Sequence, residues 1–305
     1  MAVMIAAIDV GTNSANLLVI DEHGKELTRV ITSTRLGEGL HSTGELSVEA
    51  MTRTIEVITA YIATATSLGA STIHIVGTAA CRRARNATAF SELLQAKTQL
   101  TLEVLSESDE AALTFSGALI GLPVLDAPTL VIDIGGGSTE YTVGTQSIDV
   151  FASIPFGAVT STESHISSDL PRPEDLTNLI GAVSDELEDI TRDHPIVATA
   201  IRTVGVAGTI VAIAAVELGL HEFDDAALHG MTLSREAVED VFRTVATEPL
   251  ALRVQNPGLG PDRADIIVAG CCILVATMRR LHLSEITVST RGLLDGVAHR
   301  ARLNS

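Results

Sequence analysis

The feature that most constrains this chain is one pattern that occurs twice, first around residue 9 and again around residue 133. In each copy a run of apolar, strand-type residues contains one aspartate, Asp9 or Asp133, and a glycine follows two positions later. Small polar residues come next, and then a second strand-type run, so each copy predicts a β-hairpin with an acid at its mouth. The repetition predicts two similar halves, each of which opens with the same hairpin.

Both turns have a composition that suits the binding of phosphate. Glycine lacks a Cβ atom and adopts positive φ angles, so a ligand can approach the backbone closely. Consecutive N–H groups in such a turn form a concave site for anions, and an acid beside it favours a divalent metal that bridges acid and phosphate. An ordinary glycine-rich hairpin explains either turn taken alone, because glycine motifs are weak evidence. Two such hairpins, one opening each half, would place two phosphate loops face to face across a cleft.

The composition excludes the nucleic-acid-binding proteins. The chain has 305 residues, a net charge of −18, 3% aromatic residues and no tryptophan. Nucleic-acid binders need a basic face for the phosphates or aromatic platforms for the bases, and neither is available in this composition. We therefore expect no nucleic-acid partner. The length predicts about two domains, at ~150 residues for each domain.

The cysteines and the apolar runs indicate a cytoplasmic protein without a membrane partner. Cys81, Cys271 and Cys272 are odd in number and lack metal-type spacing, as is typical of a reducing compartment. The first residues, Met1-Ala2-Val3-Met4-Ile5-Ala6, lack the basic segment and the cleavage site of a signal peptide. The most apolar run, residues 266–278, is too short to span a bilayer and predicts a buried helix.

Strand-type and helix-type segments alternate along the chain, which predicts a mixed α/β protein. Residues 48–68 carry apolar side chains at helical spacing, and residues 263–281 predict a long apolar helix. The proline-bounded segment 123–128 predicts the hinge between the halves. The predicted domains are therefore residues 1–126 and residues 127–292.

Two segments outside the hairpins also have residues suited to binding phosphate. Arg82, Arg83 and Arg85 follow a predicted strand and are typical of a phosphate clamp, although a solvated basic patch explains them as well. Gly208 and Thr209 lie in a small-residue turn between a strand and a helix. Because the N-terminus of a helix attracts anions, this turn is a second candidate site for phosphate or nucleotide.

A third segment is a predicted helix that begins with the acids Glu107, Asp109 and Glu110. Acids in a first turn complement the helix dipole, and one of them is alternatively a general base. The motifs of other enzyme classes are absent: there is no Walker A lysine motif, no His-Glu-x-x-His, no Gly-x-Ser-x-Gly and no Cys-x-x-Cys. These absences argue against a zinc hydrolase and against a Ser-His-Asp enzyme.

Paired Asp-Gly hairpins that open two βββαβα halves resemble the actin, Hsp70 and sugar-kinase superfold. Within it, the two hairpins are similar to those of the exopolyphosphatase and guanosine pentaphosphate phosphohydrolase (Ppx/GppA) family. The resemblance implies an α/β fold with two ribonuclease H-like (actin-like ATPase) domains around a central cleft, and a helix at about 293–305 that packs on the first domain. The similar blocks are Ile8-Asp9-Val10-Gly11-Thr12-Asn13-Ser14, residues 77–86, residues 106–111, residues 131–140, Pro155-Phe156-Gly157-Ala158-Val159, residues 205–209, Arg263-Ala264-Asp265-Ile266 and residues 289–296.

The resemblance also implies a role for each candidate residue. Glu110 would be the catalytic base, and Asp133 would help to hold Mg²⁺ (or Mn²⁺), with Asp9 and Glu140 as further metal candidates. Arg82 matches the phosphate-binding arginine of the family, and the two arginines after it match less closely. The other phosphate-binding candidates are Gly11, Thr12, Asn13, Ser14, Gly135, Gly136, Gly137, Ser138, Thr139, Gly208 and Thr209.

Five positions depart from the family's pattern. Glu107 and Ala207 stand where the family usually has glycine, Ala112 and Leu294 each replace a cation, and Asp295 replaces glutamate. These changes leave the phosphate loops intact and bear on substrate preference and efficiency. The chain also ends at residue 305, without the large C-terminal domains of longer relatives, so we expect weaker binding of extended polymer.

The activity implied is that of an exopolyphosphatase, which hydrolyses the terminal phosphoanhydride bonds of inorganic polyphosphate and releases phosphate, with short chains favoured. Guanosine pentaphosphate is a second expected substrate, which would connect the protein to the stringent response. A homodimer is an expectation from the family. Two alternatives stay open: a small-molecule kinase of the same superfold, and a nucleotide-sensing or filament-forming actin relative, in which Glu110 only complements a helix dipole.

Overall fold

The computed structural model describes residues 4–304, and the chain divides into two compact units. The first unit runs to Gly117 and includes the segment from Gly292 onwards, and the second unit is Ala118–Arg291. Each unit has its own β-sheet and its own apolar core. Residues 1–3, which include the start of the N-terminal apolar run, and residue 305 of the expected C-terminal helix lie outside the described residues.

The sheet of the first unit begins with an antiparallel meander. Its five strands are β1 (Met4–Val10), β2 (Ser14–Ile20), β3 (Glu26–Ser33), β4 (Ala70–Gly77) and β5 (Leu102–Val104). Their spatial order is β3-β2-β1-β4-β5, with β1, β2 and β3 antiparallel and with β4 and β5 parallel to β1. The helices that follow β3 in this unit are α1 (Leu40–Thr43), α2 (Val48–Ser67), α3 (Ala79–Arg83), α4 (Ala87–Thr98) and α5 (Glu107–Ala118).

The sheet of the second unit repeats this arrangement. Its six strands are β6 (Thr129–Ile134), β7 (Thr139–Gly144), β8 (Ile148–Ile154), β9 (Arg202–Val206), β10 (Thr232–Ser234) and β11 (Glu285–Val288). Their spatial order is β10-β11-β9-β6-β7-β8. The helices of this unit are α6 (Ala158–His165), α7 (Pro173–Asp193), α8 (Ile196–Thr199), α9 (Ala207–Glu217), α10 (Asp225–Leu228), α11 (Arg235–Thr247), α12 (Leu250–Arg253) and α13 (Ile267–Arg280).

The two sheets share one topology, which confirms the predicted fold class. Strands β6, β7 and β8 form the antiparallel meander, β9 runs parallel to β6, and β11 runs parallel to β9. The order β8-β7-β6-β9-β11 therefore matches β3-β2-β1-β4-β5, and β10 is an additional edge strand. This is the ribonuclease H-like arrangement that the resemblance implied, and it repeats in both halves as the hairpins predicted. That the two halves enclose a central cleft stays a prediction.

The amphipathic pattern of the sequence agrees with the buried faces of the longest helices. Residues Met51, Ile55 and Ile58 of α2 are buried in the core of the first unit, as their spacing predicted. Helix α13 is buried over almost its whole length, which the apolar run 266–278 also predicted. It starts at Ile267 and not at residue 263, because residues 260–266 form two four-residue turns before the helix begins, closed by bonds from the Arg263 N–H to Gly260 and from the Ile266 N–H to Arg263. No helix among residues 4–304 is long and apolar enough to cross a membrane.

The units divide after Gly117, nine residues before the predicted domain boundary at 126/127. The hinge-like segment 123–128 is bonded to the second unit: the Arg202 Nη1 atom donates to the Pro123 carbonyl at 2.6 Å, and the Ile201 N–H donates to Pro128 at 3.0 Å. A sequence pattern marks where proline interrupts regular structure, and it carries no information about which sheet the segment bonds to.

The last helix, α14 (Leu293–Leu303), belongs to the first unit. Leu294 and Val297 are buried in an apolar cluster with Ile5 and Leu18 of the sheet. Asp295 caps the helix by accepting from the Gly292 N–H at 3.0 Å. The Arg29 side chain also binds the Asp295 carboxylate, with N–O distances of 2.5 and 3.2 Å. Leu294 and Asp295 therefore stabilise α14 and its packing against this sheet.

The backbones of α5 and α14 approach each other closely at two glycines, Gly117 and Gly296. A Cβ atom on Gly117 would overlap the carbonyl oxygen of Gly292, and one on Gly296 would overlap the carbonyl oxygen of Leu113. By contrast, a Cβ atom on Gly181, an exposed position of α7, would meet nothing within 4 Å. Backbone cannot move aside as a flexible side chain can, so only the first two glycines are required by packing.

We expect Gly117→Ala and Gly296→Ala each to lower the free energy of unfolding by about 2 kcal/mol or more, because the helices must separate to admit the methyl group. The control Gly181→Ala should raise it by about 0.5–1 kcal/mol, since alanine is the better helix former. Urea unfolding of the three variants checks this. Equal effects of Gly117→Ala and Gly181→Ala would show that α5 and α14 do not pack closely.

Candidate functional site

The two hairpins close in the same way. In the first, the Gly11 N–H donates to the Ser14 carbonyl at 2.9 Å, and in the second the Gly135 N–H donates to the Ser138 carbonyl at 3.0 Å. Each bond encloses the two central residues of its turn, residues 12 and 13 in the first hairpin and residues 136 and 137 in the second. The predicted repeat is thus present in the backbone hydrogen bonds as well as in the strand order. Each closed turn presents the compact, glycine-led backbone that an anion site requires.

The first turn is supported by the loop after β3. The N–H groups of Thr34 and Arg35 donate to the Asn13 carbonyl at 3.0 and 2.8 Å, and the Gly37 N–H donates to the Thr12 carbonyl at 2.9 Å. Asn13 is buried, and within the described chain its Nδ2 atom has no hydrogen-bond partner. Because an unsatisfied buried donor is costly, this amide is suited to donate to a ligand oxygen.

The second turn is supported by the start of α6. The N–H groups of Ala158 and Val159 donate to the carbonyls of Gly135 and Gly136, both at 2.9 Å. Gly157 lies so close that a Cβ atom on it would overlap the backbone of Gly136 and its neighbour. The block 155–159 was identified from the sequence only as a similarity. Its physical role is to hold the glycine turn against the helix, which only glycine at position 157 permits.

The carboxylates of the two hairpins occupy equivalent positions but have different partners. Asp9 lies opposite Asn16 in the first hairpin, and Asp133 lies opposite Glu140 in the second, so each pair shares one face of its sheet. The Asn16 Nδ2 atom donates to Asp9 Oδ2 at 3.0 Å. The Glu140 Oε1 atom accepts from Ser138 at 2.5 Å and from Ser153 at 3.2 Å. The second hairpin therefore places two acids on one face, whereas the first places one.

Asp9 has an unusual electrostatic environment. Its Oδ1 atom is buried and, among residues 4–304, has no hydrogen-bond partner. Burial raises the pKa of Asp9 to about 7, the hydrogen bond from Asn16 opposes the rise, and the charge of Glu110 adds to it. The sequence could not show this, because a strand pattern places the acid at the end of β1 without showing how much water reaches it.

Glu110 is paired with Arg82. The Arg82 Nη1 atom donates to the Glu110 carboxylate and to the Leu105 carbonyl, the latter at 3.2 Å. Burial raises the pKa of Glu110, the guanidinium of Arg82 opposes that rise, and Glu107 adds to it. The structure thus joins the predicted base and the predicted phosphate-binding arginine, which are 28 residues apart in the chain.

Two of the three clustered arginines, Arg82 and Arg85, have different partners. Arg82 turns to Glu110, whereas the exposed Arg85 binds the Thr43 carbonyl at 3.0 Å and Glu45 at 3.2 Å. The amide of Asn86 bonds to both the N–H and the carbonyl of Leu46 at 2.9 Å. Arg85 and Asn86 therefore fasten the loop between α1 and α2. That the arginines clamp phosphate stays a prediction, with Arg82 as its first candidate.

The turn at Gly208 has a neighbour that the sequence prediction left out of the site. A Cβ atom on Gly208 would overlap the guanidinium of Arg263, so glycine is required for this approach. Burial lowers the pKa of Arg263, with Asp262 opposing. Arg253 holds the segment in place by donating to the Ala264 carbonyl at 2.8 Å. The sequence marked the block Arg263-Ala264-Asp265-Ile266 only as a similarity to the family, and the contact with Gly208 makes Arg263 a candidate for the site.

Ala207 begins α9 with a φ angle of 67°. This left-handed conformation costs an alanine about 1–2 kcal/mol, whereas glycine adopts it freely. The departure from glycine at this position is therefore a source of backbone strain beside Gly208 and Thr209.

A family model matches most of the chain. The family model that matches residues 18–304 is described as the Ppx/GppA phosphatase family. The chain belongs to the Ppx/GppA phosphatase family. The family identification made from the hairpins is confirmed, and so is the enzyme class, a hydrolase of phosphoanhydride bonds.

Three proteins illustrate the similarity. The chain is 32% identical to Exopolyphosphatase 2 of Mycobacterium tuberculosis over 313 aligned residues, which cover 96% of this chain and 97% of the relative. It is 28% identical to the guanosine-5'-triphosphate,3'-diphosphate pyrophosphatase of Aeromonas salmonicida, covering 97% of this chain and 59% of that protein. The crystal structure of the Ppx/GppA family member of Aquifex aeolicus matches with a TM-score of 0.82 and 27% identity, over 100% of this chain and 99% of that one.

These similarities do not favour the kinase or the actin-like assembly alternative. Within the Ppx/GppA member described here, the first unit brings together the first hairpin, Arg82 and Glu110, and the second unit brings together Asp133 and Glu140. No group of three or more His, Cys, Asp or Glu side chains that could hold a metal is present among residues 4–304.

In Arg82→Ala, we expect the pKa of Glu110 to rise further, because the carboxylate stays buried and loses its cation. A carboxyl whose folded pKa lies above its ordinary value of 4.5 binds more protons in the folded state, so stability falls as the pH rises through that window. Urea unfolding at pH 5 and pH 8 should therefore show a larger loss of stability at pH 8 for Arg82→Ala than for the wild type.

The double variant Arg82→Ala/Glu110→Gln is the control for this measurement. Because glutamine does not titrate, the additional loss of stability at pH 8 should vanish. An unchanged loss in the double variant would assign the effect to a group other than Glu110.

Proposed function

We propose that this chain is an exopolyphosphatase that releases phosphate from the ends of inorganic polyphosphate. The observation that carries the proposal is the partly buried pair of Glu110 and Arg82, which would join a proton acceptor to a phosphate-binding cation in the unit that contains the first glycine turn. The similarity to Exopolyphosphatase 2 over nearly the whole of both chains supports the same activity.

The reaction needs a base for water, groups that position the phosphates, and neutralisation of charge. Glu110 would accept the proton of the attacking water, since burial has moved its pKa upward in the direction that suits a base at neutral pH. Arg82 would orient Glu110 and bind a phosphate oxygen. The N–H groups of residues 11–14 and 135–139, together with the orphaned amide of Asn13, would hold further phosphates.

The acids of the second hairpin fit a magnesium ion (or a manganese ion). Mg²⁺ takes oxygen ligands and is commonly bound by one or two carboxylates together with substrate phosphates, so a cage of three protein ligands is not required. Asp133 and Glu140, which share one face of the β6–β7 hairpin, would hold the ion. Asp9, whose Oδ1 atom is buried without a partner among the described residues, is the third candidate ligand. The bound ion would neutralise the charge of the terminal phosphates.

The proposed substrate is a short chain. With a net charge of −18, the protein repels a long polyanion beyond the immediate site, although salt limits this repulsion to about 8 Å at physiological ionic strength. Guanosine pentaphosphate is the second proposed substrate, in view of the pyrophosphatase relatives, and it would give the protein a role in the stringent response. We also propose a cytoplasmic, homodimeric enzyme without nucleic-acid or membrane partners, consistent with three free, buried cysteines.

Glu110→Gln should lower the rate of phosphate release from polyphosphate by about 10²–10⁴-fold, because glutamine cannot accept a proton. The fold should persist, since the amide oxygen still accepts from Arg82. The control Glu92→Gln removes an exposed carboxylate of α4 and should leave the rate unchanged. Phosphate release by both variants is the measurement, and wild-type turnover by Glu110→Gln would refute the assignment of the base.

The preference for short chains is tested with polyphosphates of increasing length. We expect kcat/KM to stay level or fall as the chain grows, because the acidic surface opposes every phosphate beyond the site. Faster cleavage of very long polymer contradicts this expectation. The same assay with guanosine pentaphosphate ranks the two substrates, and addition of a chelator should abolish release from both if the carboxylates act through a divalent ion.

A further inference from the structure

The guanidinium of Arg82 has two terminal nitrogens, and they face different acids of α5. The Nη1 atom is occupied by the Glu110 carboxylate and by the Leu105 carbonyl. The Nη2 atom lies 4.0 Å from Glu107 Oε1, at the outer limit of an ion pair. A phosphate that binds Arg82 while Glu110 keeps its orienting bond therefore has Nη2 and Nε as its available donors, and Nη2 is the one that Glu107 faces.

Exposure distinguishes the two acids. The side chain of Glu110 is 14% exposed and that of Glu107 is 51% exposed, whereas Arg82 itself is 16% exposed. The Glu110 contact is thus shielded from water and the Glu107 contact is open to it. Because Glu107 is the more exposed acid and lies nearest to Nη2, its carboxylate and a bound phosphate would compete for that nitrogen.

The other acid of this helical turn is engaged elsewhere. Asp109 accepts from the Ser106 hydroxyl at 2.6 Å, and its own N–H donates to that hydroxyl at 3.1 Å, which caps α5. Within the described residues, the ion pairs of Arg82 are those with Glu107 and Glu110. Since Glu110 is the proposed base, Glu107 is the remaining acid that can compete at this arginine.

We propose that Glu107 is a specificity-determining residue that competes with the substrate's phosphate for Nη2 of Arg82. It weakens binding of condensed phosphates and takes no part in proton transfer. This inference rests on the proposed function, because it concerns the same arginine. A carboxylate that must be displaced when substrate binds weakens the binding of the ground state and of the transition state by the same amount. It therefore raises KM and leaves kcat unchanged.

Glu107→Gln should lower the KM for tripolyphosphate by about two- to fivefold, the range expected for a partly exposed ion pair, with kcat unchanged. The gain should shrink as salt is added, because salt screens the exposed carboxylate of the wild type. Steady-state phosphate release at low and high ionic strength measures both effects.

The matched control is Glu49→Gln. Glu49 is likewise an exposed glutamate in the first turn of a helix, α2, whose serine cap, Ser47, bonds the Ala50 N–H at 3.1 Å. If Glu107 served only the dipole of α5, the two variants would lose similar small amounts of thermal stability and neither would change KM. That result, with an active wild type, would overturn the inference.

Failure of the proposed function is a different result, since the wild type would then release no phosphate from tripolyphosphate under any condition. Loss of activity in Glu107→Gln with a native melting temperature would also overturn the inference, because it would make Glu107 a participant in the reaction. A lower KM at constant kcat in Glu107→Gln, absent from Glu49→Gln, is the outcome that supports it.

Discussion

The hydrogen bond that closes each hairpin, from glycine N–H to serine carbonyl, is the constraint on which the rest of the structure depends. It sets the register of β1 with β2 and of β6 with β7. Side chains alternate between the faces of a strand, so a slip of one residue would turn both aspartates to the opposite face. With the register fixed, Asp9 meets Asn16 and Asp133 meets Glu140. These pairings decide which polar side chain stands beside each aspartate.

One backbone design therefore supports two different sites. In the first unit an amide stands opposite the acid, and burial raises the pKa of Asp9 to about 7. In the second unit two acids share a face, and serine hydroxyls hold an oxygen of Glu140. The first unit also supplies Glu110 and Arg82. The duplicated fold thus places the residues proposed for proton transfer in one half and those proposed for cation binding in the other, and both halves have the same strand order.

The contacts of several residues that depart from the family's pattern show what those residues do. Leu294 and Asp295 stabilise α14, one in the apolar cluster and the other as a cap that also binds Arg29. Ala207 carries backbone strain at a φ angle of 67°. Ala112 is exposed on α5, and nothing in the structure explains it. Glu107 also departs from the pattern, and its carboxylate lies 4.0 Å from Arg82 of the proposed site.

Local patterns by themselves determined the two acid-bearing hairpins, the buried stripe of α2 and the burial of α13, because each depends on residues close together in the chain. The order of short blocks along the whole sequence determined the family. Tertiary structure decided that Arg82 pairs with Glu110 while Arg85 fastens a loop, that Arg263 lies against Gly208, and that the units divide after Gly117. These features join residues far apart in sequence. Which partner a charged side chain meets depends on the packing of whole elements, and the spacing of residues along one element does not contain that information.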